Sequence, residues 1–343
     1  MNRVSSTAFA VFAILFSAHS YSQNAAGALP ADPTALMTLA HERNGLTGSG
    51  VKPWHMHGTY HSYKDGKPEY EGTYEEWWIS PTQYKVSFSN PKETQTDFAT
   101  GTALLRDGAQ EWLNGPELLL RSSVVEPLLD PAQLKEFTLQ RSEQTVGANK
   151  IECVSLTYPV HGSVRATGDV YPTACFESSM PVLRVFEING SRIVYDQLAV
   201  FQGHYIARQI RIVSDGKLEA DLKLDVIEAL KPDLVLSAPA TATPVDLTKI
   251  KLKEGKSHWP ALLKKATAAY PILAKNHQVS GIVTIRAALR ADGHLENLQP
   301  TSGSEMLWNA STDAVEQWVY RPFVVMGQPR PAEMEIYVNF SIN

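Results

Sequence analysis

Three histidines, His55, His57 and His61, stand at odd positions in "PWHMHGTYH". On a β-strand such residues share one face, and His-x-His is a spacing that can ligate zinc. A metal site also needs further convergent ligands and groups to orient them. No carboxylate or cysteine completes the set nearby in sequence, so a polar strand face carrying imidazoles is expected, with no metal bound. In "EEWWI", Glu75 and Glu76 sit beside Trp77 and Trp78. Paired carboxylates near aromatic rings could serve glycoside hydrolysis. Adjacent residues of a strand point to opposite faces, however, so these two would not converge on one substrate. The chain has no Gly-x-Ser-x-Gly, no P-loop and no dinucleotide fingerprint. No cofactor and no catalytic residue is therefore expected, and a hydrolase or metal enzyme is the less favoured class.

Around these residues lies a chain of 343 residues with a formal net charge of -5. The length suits two domains, and without a basic excess nucleic acid is not an expected partner. Near the start, Arg3 precedes the apolar run "TAFAVFAILFSA". That run is too short to span a bilayer and suits the core of a signal peptide, with small residues for cleavage after Ser20 or Ser22. Residues 1–22 are thus expected to direct export. The only cysteines are Cys153 and Cys175. An even count in an exported chain favours a disulfide, here between strand-like segments; the rival is two separate buried thiols.

Residues 30–44 form an amphipathic pattern, with Asp32 placed to cap a helix and Pro33 at its first position. From about 51 to 230 strand signals dominate. Tyr84, Val86 and Phe88 alternate with polar residues, as do Leu218, Ala220, Leu222, Leu224 and Val226, which marks half-buried strands. Asp65-Gly66, Asp107-Gly108, Asn189-Gly190 and Asp215-Gly216 carry hairpin-turn chemistry. "SSVVEPLLDPAQLKEF" is a more helical interruption. Residues 237–260 open with the Ala-, Thr- and Pro-rich "SAPATATPVD", a linker composition. Domains are therefore expected at 23–236 and 261–343. In the second, Val283, Ile285, Ala287 and Leu289 alternate along a strand and Asp292-Gly293 turns it back. Ser304 can cap a helix whose face holds Leu307, Ala310, Ala314 and Trp318. That helix is expected to run to Arg321-Pro322, where proline stops it. Met334, Ile336, Val338, Phe340 and Ile342 then alternate along a last strand.

Two resemblances follow. Tyr270-Pro271, Ala274, Gly281, Val283, Asp292-Gly293, Ser302-Gly303, Leu307, Ala310, Ala314, Trp318, Arg321-Pro322, Gly327 and Phe340, in this order, resemble the C-terminal domain of the energy transducer TonB. The order of helix, long meander, "LLRDGAQEWLN" and "YDQLAVFQGHYIARQIRIVSDGKLEADLKLDVIEA" is similar to the LolA-like periplasmic half-barrels. Together they imply an α+β chain: an antiparallel LolA-like half-barrel with packed helices, then a small two-layer TonB-like α/β domain. They imply a non-enzymatic protein of the bacterial envelope, exported to the periplasm of a Gram-negative-type cell.

The TonB resemblance implies docking of envelope proteins, outer-membrane transporters among them, by strand pairing in TonB-dependent transport. The last strand, Ile336, Tyr337, Val338, Asn339, Phe340 and Ser341, is the expected partner-binding edge. The LolA resemblance implies the alternative: a lipid or lipoprotein carrier or scaffold with an acyl-chain ligand in an apolar groove. The chain departs from a full transducer in lacking a membrane-length apolar run and a long Pro-rich spacer. Thr267-Ala268-Ala269 also replaces the Gln-containing segment that often precedes Tyr-Pro. These departures put energy transduction in doubt and leave partner binding untouched.

Overall fold

The computed structural model describes residues 29–48, 50–113, 116–146, 149–158, 171–231, 234–253 and 260–342. The expected signal segment, residues 1–22, lies outside them. Helix α1 (Pro33–Asn44) begins as its sequence dictates: the Asp32 carboxylate accepts from the Ala35 N–H at 2.8 Å, with proline following the cap. Five antiparallel strands come next: β1 (Trp54–Lys64), β2 (Lys67–Ser80), β3 (Gln83–Ser89), β4 (Thr94–Thr100) and β5 (Leu104–Gly108). Helix α2 (Glu117–Val125) and a 3-10 turn (Pro131–Glu136) account for the helical interruption. A second run comprises β6 (Thr138–Val146), β7 (Asn149–Thr157), β8 (Thr173–Glu177), β9 (Leu183–Ile188), β10 (Ser191–Phe201), β11 (His204–Ser214) and β12 (Lys217–Ala229).

These strands form one large antiparallel sheet, in which the first and last meet: β1 pairs with β2 on one side and β12 on the other. Alternation sends Trp54, Met56 and Tyr60 of β1 to the covered face, together with Tyr74 and Trp78 of β2 and Leu222 and Leu224 of β12. Helices α1 and α2 lie against that face, and Leu36, Met37, Leu120 and Val124 join the same core.

Three of the four expected hairpin turns are present. Asp65-Gly66, Asn189-Gly190 and Asp215-Gly216 each have two successive positive φ angles, as a two-residue turn between twisted strands requires. Asp107-Gly108 is not a turn. It belongs to β5, where Gly108 lies so close to β4 that a Cβ would sit 2.1 Å from the Thr94 carbonyl oxygen. Conversely, Gln202-Gly203 turns β10 into β11 with φ of 53° and 85°, although glutamine is a poor advertisement for that conformation.

Cys153 and Cys175 lie opposite one another on β7 and β8, Cα atoms 4.0 Å apart, and form a disulfide. With Ile151 and Val185 they make a small separate cluster on the face opposite the main core.

The segment with linker composition is tied at both ends. β13 (Thr243–Pro244) pairs with β5, and β14 (Lys251–Lys253) runs parallel to the last strand. Beyond it come β15 (Leu262–Lys264), α3 (Ile272–Asn276), β16 (Gly281–Leu289), β17 (Leu295–Ser302), α4 (Glu305–Val315), β18 (Val319–Tyr320), β19 (Val324–Val325), β20 (Gln328–Pro329) and β21 (Ala332–Phe340). The second sheet has the order β14-β21-β16-β17. Val283, Ile285, Ala287, Leu289, Met334, Ile336, Val338 and Phe340 all point into its core, as their alternation predicts; Ile342 lies beyond the strand and is exposed.

Two expectations about α4 are corrected. Ser304 occupies the N-cap position without a capping hydrogen bond from its side chain. The helix also ends at Val315, well before Pro322. Val319 and Tyr320 are drawn into pairing with β15, so tertiary hydrogen bonding, not proline, takes the chain out of the helix. Trp318 is buried beyond the helix end, its indole N–H donating to the Ala266 carbonyl at 2.8 Å.

Replacing both cysteines by serine should lower stability by about 3 kcal/mol, from the entropy of the short loop that the bond closes. The midpoint of urea unfolding measures this, and a thiol assay on unreduced, denatured protein should find no free thiol. An unchanged midpoint would mean that closing this loop does not restrict the unfolded chain measurably.

Candidate functional site

The outer face of the β2-β1-β12 ribbon carries the histidines. His55 lies between Glu75 and Glu228, each 3.0 Å from one ring nitrogen. His61 lies between Asp221 at 2.9 Å and Glu71 at 3.1 Å, and His57 faces Asp225 at 3.7 Å. Trp77 stacks on His55 with ring centroids 4.7 Å apart, and Lys85 sits 4.1 Å above the Trp77 ring. The carboxylates come from the neighbouring strands, so they could not be found by looking along β1 alone. They face the imidazoles in a ladder across three strands, with hydrogen bonds at His55 and His61. Among the described residues, no group of three or more histidine, cysteine or carboxylate side chains is arranged to hold a metal ion.

Glu75 and Glu76 do take opposite faces. Glu76 is fully buried beneath the sheet, where Arg121 of α2 meets it with two hydrogen bonds of 2.8 and 2.6 Å. The Tyr74 hydroxyl donates to the same carboxylate at 2.7 Å. Burial works against the charged guanidinium, yet the Glu76 carboxylate outweighs it and holds the Arg121 pKa above its ordinary value. Burial pushes the neighbouring Tyr84 hydroxyl up to about 12.

Arg121 and Tyr84 border a recess of about 580 Å³ between the large sheet, α2 and the C-terminal segment. Trp78, Val86, Phe88 and Leu118 supply apolar wall from the first sheet and α2, while Phe323, Val325 and Met326 supply it from the β19–β20 hairpin. A chain of contacts leads from sheet to hairpin. Asp97 holds the fully buried Arg106 through hydrogen bonds of 2.6 and 2.8 Å; Arg106 lies 4.3 Å from the Trp112 ring; and Trp112 meets Phe323 edge to face at 5.1 Å. Beside it, the Arg321 guanidinium donates to the carbonyls of Glu126 and Leu128 at 2.6 and 2.9 Å, just past the end of α2. The Lys265 N–H donates to the Tyr158 hydroxyl at 2.9 Å. Gly327 lies against Pro81, where a Cβ would approach the proline Cβ to 2.5 Å. The recess is thus built from the first sheet, α2 and the C-terminal segment around the β19–β20 hairpin, whereas the sequence predicts a groove within the first domain alone.

The expected partner-binding strand has two unlike neighbours. On one side β16 pairs with all of β21, from Ala332 to Phe340; on the other, β14 pairs with Glu333, Met334 and Glu335. The Glu333 N–H donates to Ile250, so by strand alternation Asn339 also turns its backbone N–H and C=O to the β14 side. Ile336, Val338 and Phe340 face the core, Tyr337 and Asn339 face outward, and Ser341 follows the strand, exposed. Across the sheet, β17 is an outer strand.

Residues 266–342 match the family described as Gram-negative bacterial TonB protein C-terminal. The ordered residues from Tyr270-Pro271 to Phe340 fall within that span. No curated protein matches the chain. Among solved structures, a LolA superfamily protein from Nitrosomonas europaea is similar at 10% identity, covering 56% of this chain and 92% of that one, with a TM-score of 0.33. A DUF1329 family protein from Desulfovibrio piger is similar at 9% identity over 60% and 95% of the two chains, with a TM-score of 0.33. MucB is similar at 15% identity over 64% and 67%, with a TM-score of 0.30. At these scores the structural likenesses carry no argument about function.

The histidine ladder has a pH signature. The hydrogen bond that the His61 Nδ1–H donates to Asp221 is the largest influence on His61 and raises its pKa above 6.5. The stabilisation is therefore fully present below about pH 6.5 and is lost as pH rises through the higher folded-state value. The side chain is 37% exposed, which weakens the pair by solvent screening. His61→Gln should reduce Tm by about 1–2 °C more at pH 5.5 than at pH 8.5. A decrement equal at the two pH values, or larger at the alkaline one, would contradict this assignment.

Proposed function

We propose that this chain is an exported envelope protein that docks partner proteins through its TonB-like C-terminal segment, by strand addition beside β21. The match of residues 266–342 to the TonB C-terminal family carries the reading. The geometry of β21 supports it, since among the described residues the pairing with β14 ends at Glu335 and Asn339 turns its backbone to the same side. An added strand would gain affinity from main-chain hydrogen bonds and selectivity from alternate side chains, with Glu333 and Glu335 discouraging indiscriminate pairing. The partner is an extended segment of an envelope protein, an outer-membrane transporter in TonB-dependent transport being the leading case. The domains read from sequence, 23–236 and 261–343 joined by 237–260, serve as carrier body and docking module.

A second reading, carriage of an apolar molecule such as an acyl chain by a half-barrel-like first domain, is favoured by the recess beside Trp78, Tyr84, Val86 and Phe88. Its volume of about 580 Å³ lies within the range of small-molecule sites.

A photo-crosslinking residue at Tyr337 should capture an envelope protein in living cells, and Asn339→Pro should abolish that capture while Tm changes little, because proline removes one edge donor. Capture that persists in the Asn339→Pro chain, or that moves to a crosslinker at Leu298 on β17, would place docking elsewhere.

A further inference from the structure

The stretch from β15 into β16 differs from the rest of the chain in charge. Residues 261–290 carry Lys264, Lys265, Lys275, Arg286 and Arg290 and no aspartate or glutamate, although the whole chain has a formal net charge of -5. Two of these cations face acids from neighbouring segments. Arg290 lies 2.9 Å from Asp292, and Arg286 stands opposite Glu335 in the β16–β21 ladder. Lys275 is exposed on α3. Lys264 and Lys265 precede it, 5.8 and 5.6 Å from the centres of the Tyr158 and Trp318 rings.

The same stretch exposes aliphatic side chains. Ile272 and Leu273, the first two residues of α3, are 77% and 68% exposed, and Ile282 of β16 is 55% exposed. From Ile272 to Ile282 only Ala274 is buried and Val279 half-buried. The backbone is nevertheless pinned. The Tyr270 hydroxyl donates to the Val279 carbonyl, and its ring meets Phe340 edge to face at 5.3 Å. The Val279 N–H donates to the Ala274 carbonyl at 2.9 Å. Phe340 in turn pairs with Gly281, so α3 and the start of β16 share one end of the second sheet. At one turn and a half, α3 can sink a single side chain, Ala274, and leaves its aliphatic and cationic residues outside together. Glu305, at the start of α4, bounds the patch where Gly303 approaches Ile282.

We propose that this tip, formed by Ile272, Leu273 and Ile282 with Lys265 and Lys275, is a contact site for an anionic phospholipid surface. The proposal rests on the envelope location argued above for the presence of such a surface, and on the geometry of the tip for the contact itself. Grouped exposed aliphatics mark a surface that something else covers. A bilayer interface meets both features at once: the acyl boundary receives the aliphatic tips while the headgroup phosphates face the lysines. Each lysine near such a surface multiplies partitioning about fivefold. With few groups involved, the contact is reversible; it brings the C-terminal segment to the membrane without anchoring it there.

Both native cysteines are in the disulfide, so one introduced cysteine can carry a single nitrobenzoxadiazole fluorophore. Asn276→Cys places it on α3, and Lys67→Cys places a control on the β1–β2 hairpin; both positions are exposed. The chain recovered after export is mixed with phosphatidylglycerol vesicles. The probe on α3 should brighten and shift to the blue saturably, and the control probe should not. Binding to phosphatidylcholine vesicles should be about tenfold weaker or more. Ile272→Ser with Leu273→Ser, and separately Lys265→Glu with Lys275→Glu, should each weaken binding to the anionic vesicles by a similar factor. These side chains are exposed, so Tm should change little.

An unchanged spectrum with phosphatidylglycerol vesicles overturns the lipid contact. So does an equal change at the control position, or binding that survives both pairs of substitutions. A blue shift that grows with protein concentration in the absence of vesicles overturns it in favour of a second copy of the chain. Photo-crosslinking at Tyr337 separates this proposal from the docking reading. Vesicle binding absent with crosslinking intact overturns the lipid contact alone, and crosslinking absent with vesicle binding intact overturns docking alone.

Discussion

Strand β1 is held on both sides by antiparallel ladders, to β2 and to β12, and that pairing fixes which side chains reach which face. Trp54, Met56 and Tyr60 must enter the core because His55, His57 and His61 face out. The same alternation divides Glu75 from Glu76, sending one to an imidazole and the other to a buried guanidinium. A slip of one residue would exchange these sets, placing imidazoles under α2 and Trp54 in water. The imidazole–carboxylate ladder of the outer face and the core therefore reinforce a single register.

Much of this parity can be read from the amino-acid order, since a half-buried strand writes its orientation into alternate residues. The Asp32 cap and the Asp-Gly and Asn-Gly hairpins are legible for a similar reason: their chemistry is local. What depends on distant partners is not. β13, β14 and β18 are too short to show periodicity and exist because β5, β21 and β15 complete their hydrogen bonds. Trp318 lies on the helical spacing of Leu307 and Ala314, yet pairing of the next two residues takes it off the helix. The recess escapes sequence reasoning altogether, because Arg121, Trp112 and Phe323 come together only when the C-terminal segment packs on the first sheet and α2.

The segment between the sheets shows how composition can describe a chain without describing its attachments. Ala, Thr and Pro between 237 and 246 do lack a core of their own. Even so, Val245 donates to Leu104, and Leu252 is buried beside Met334. Both ends are anchored to the elements they connect, and buried residues of both sheets belong to one hydrophobic cluster.

The meeting of β1 with β12 also has a consequence in time. Its partners run from Trp54↔Ala229 to Ser62↔Ala220, so the central ladder of the large sheet joins residues far apart in the chain, while β1–β2, β2–β3, β10–β11 and β11–β12 close through short local hairpins. Loop-closure entropy makes distant pairing slow relative to local pairing. The two flanking meanders are therefore set to assemble first, each with a bare edge, and the middle of the finished sheet is the seam at which they join. Until that seam closes, β1 and β12 are open templates for the wrong strand, which makes the interval before their union the period when a newly made chain most needs protection from its own copies.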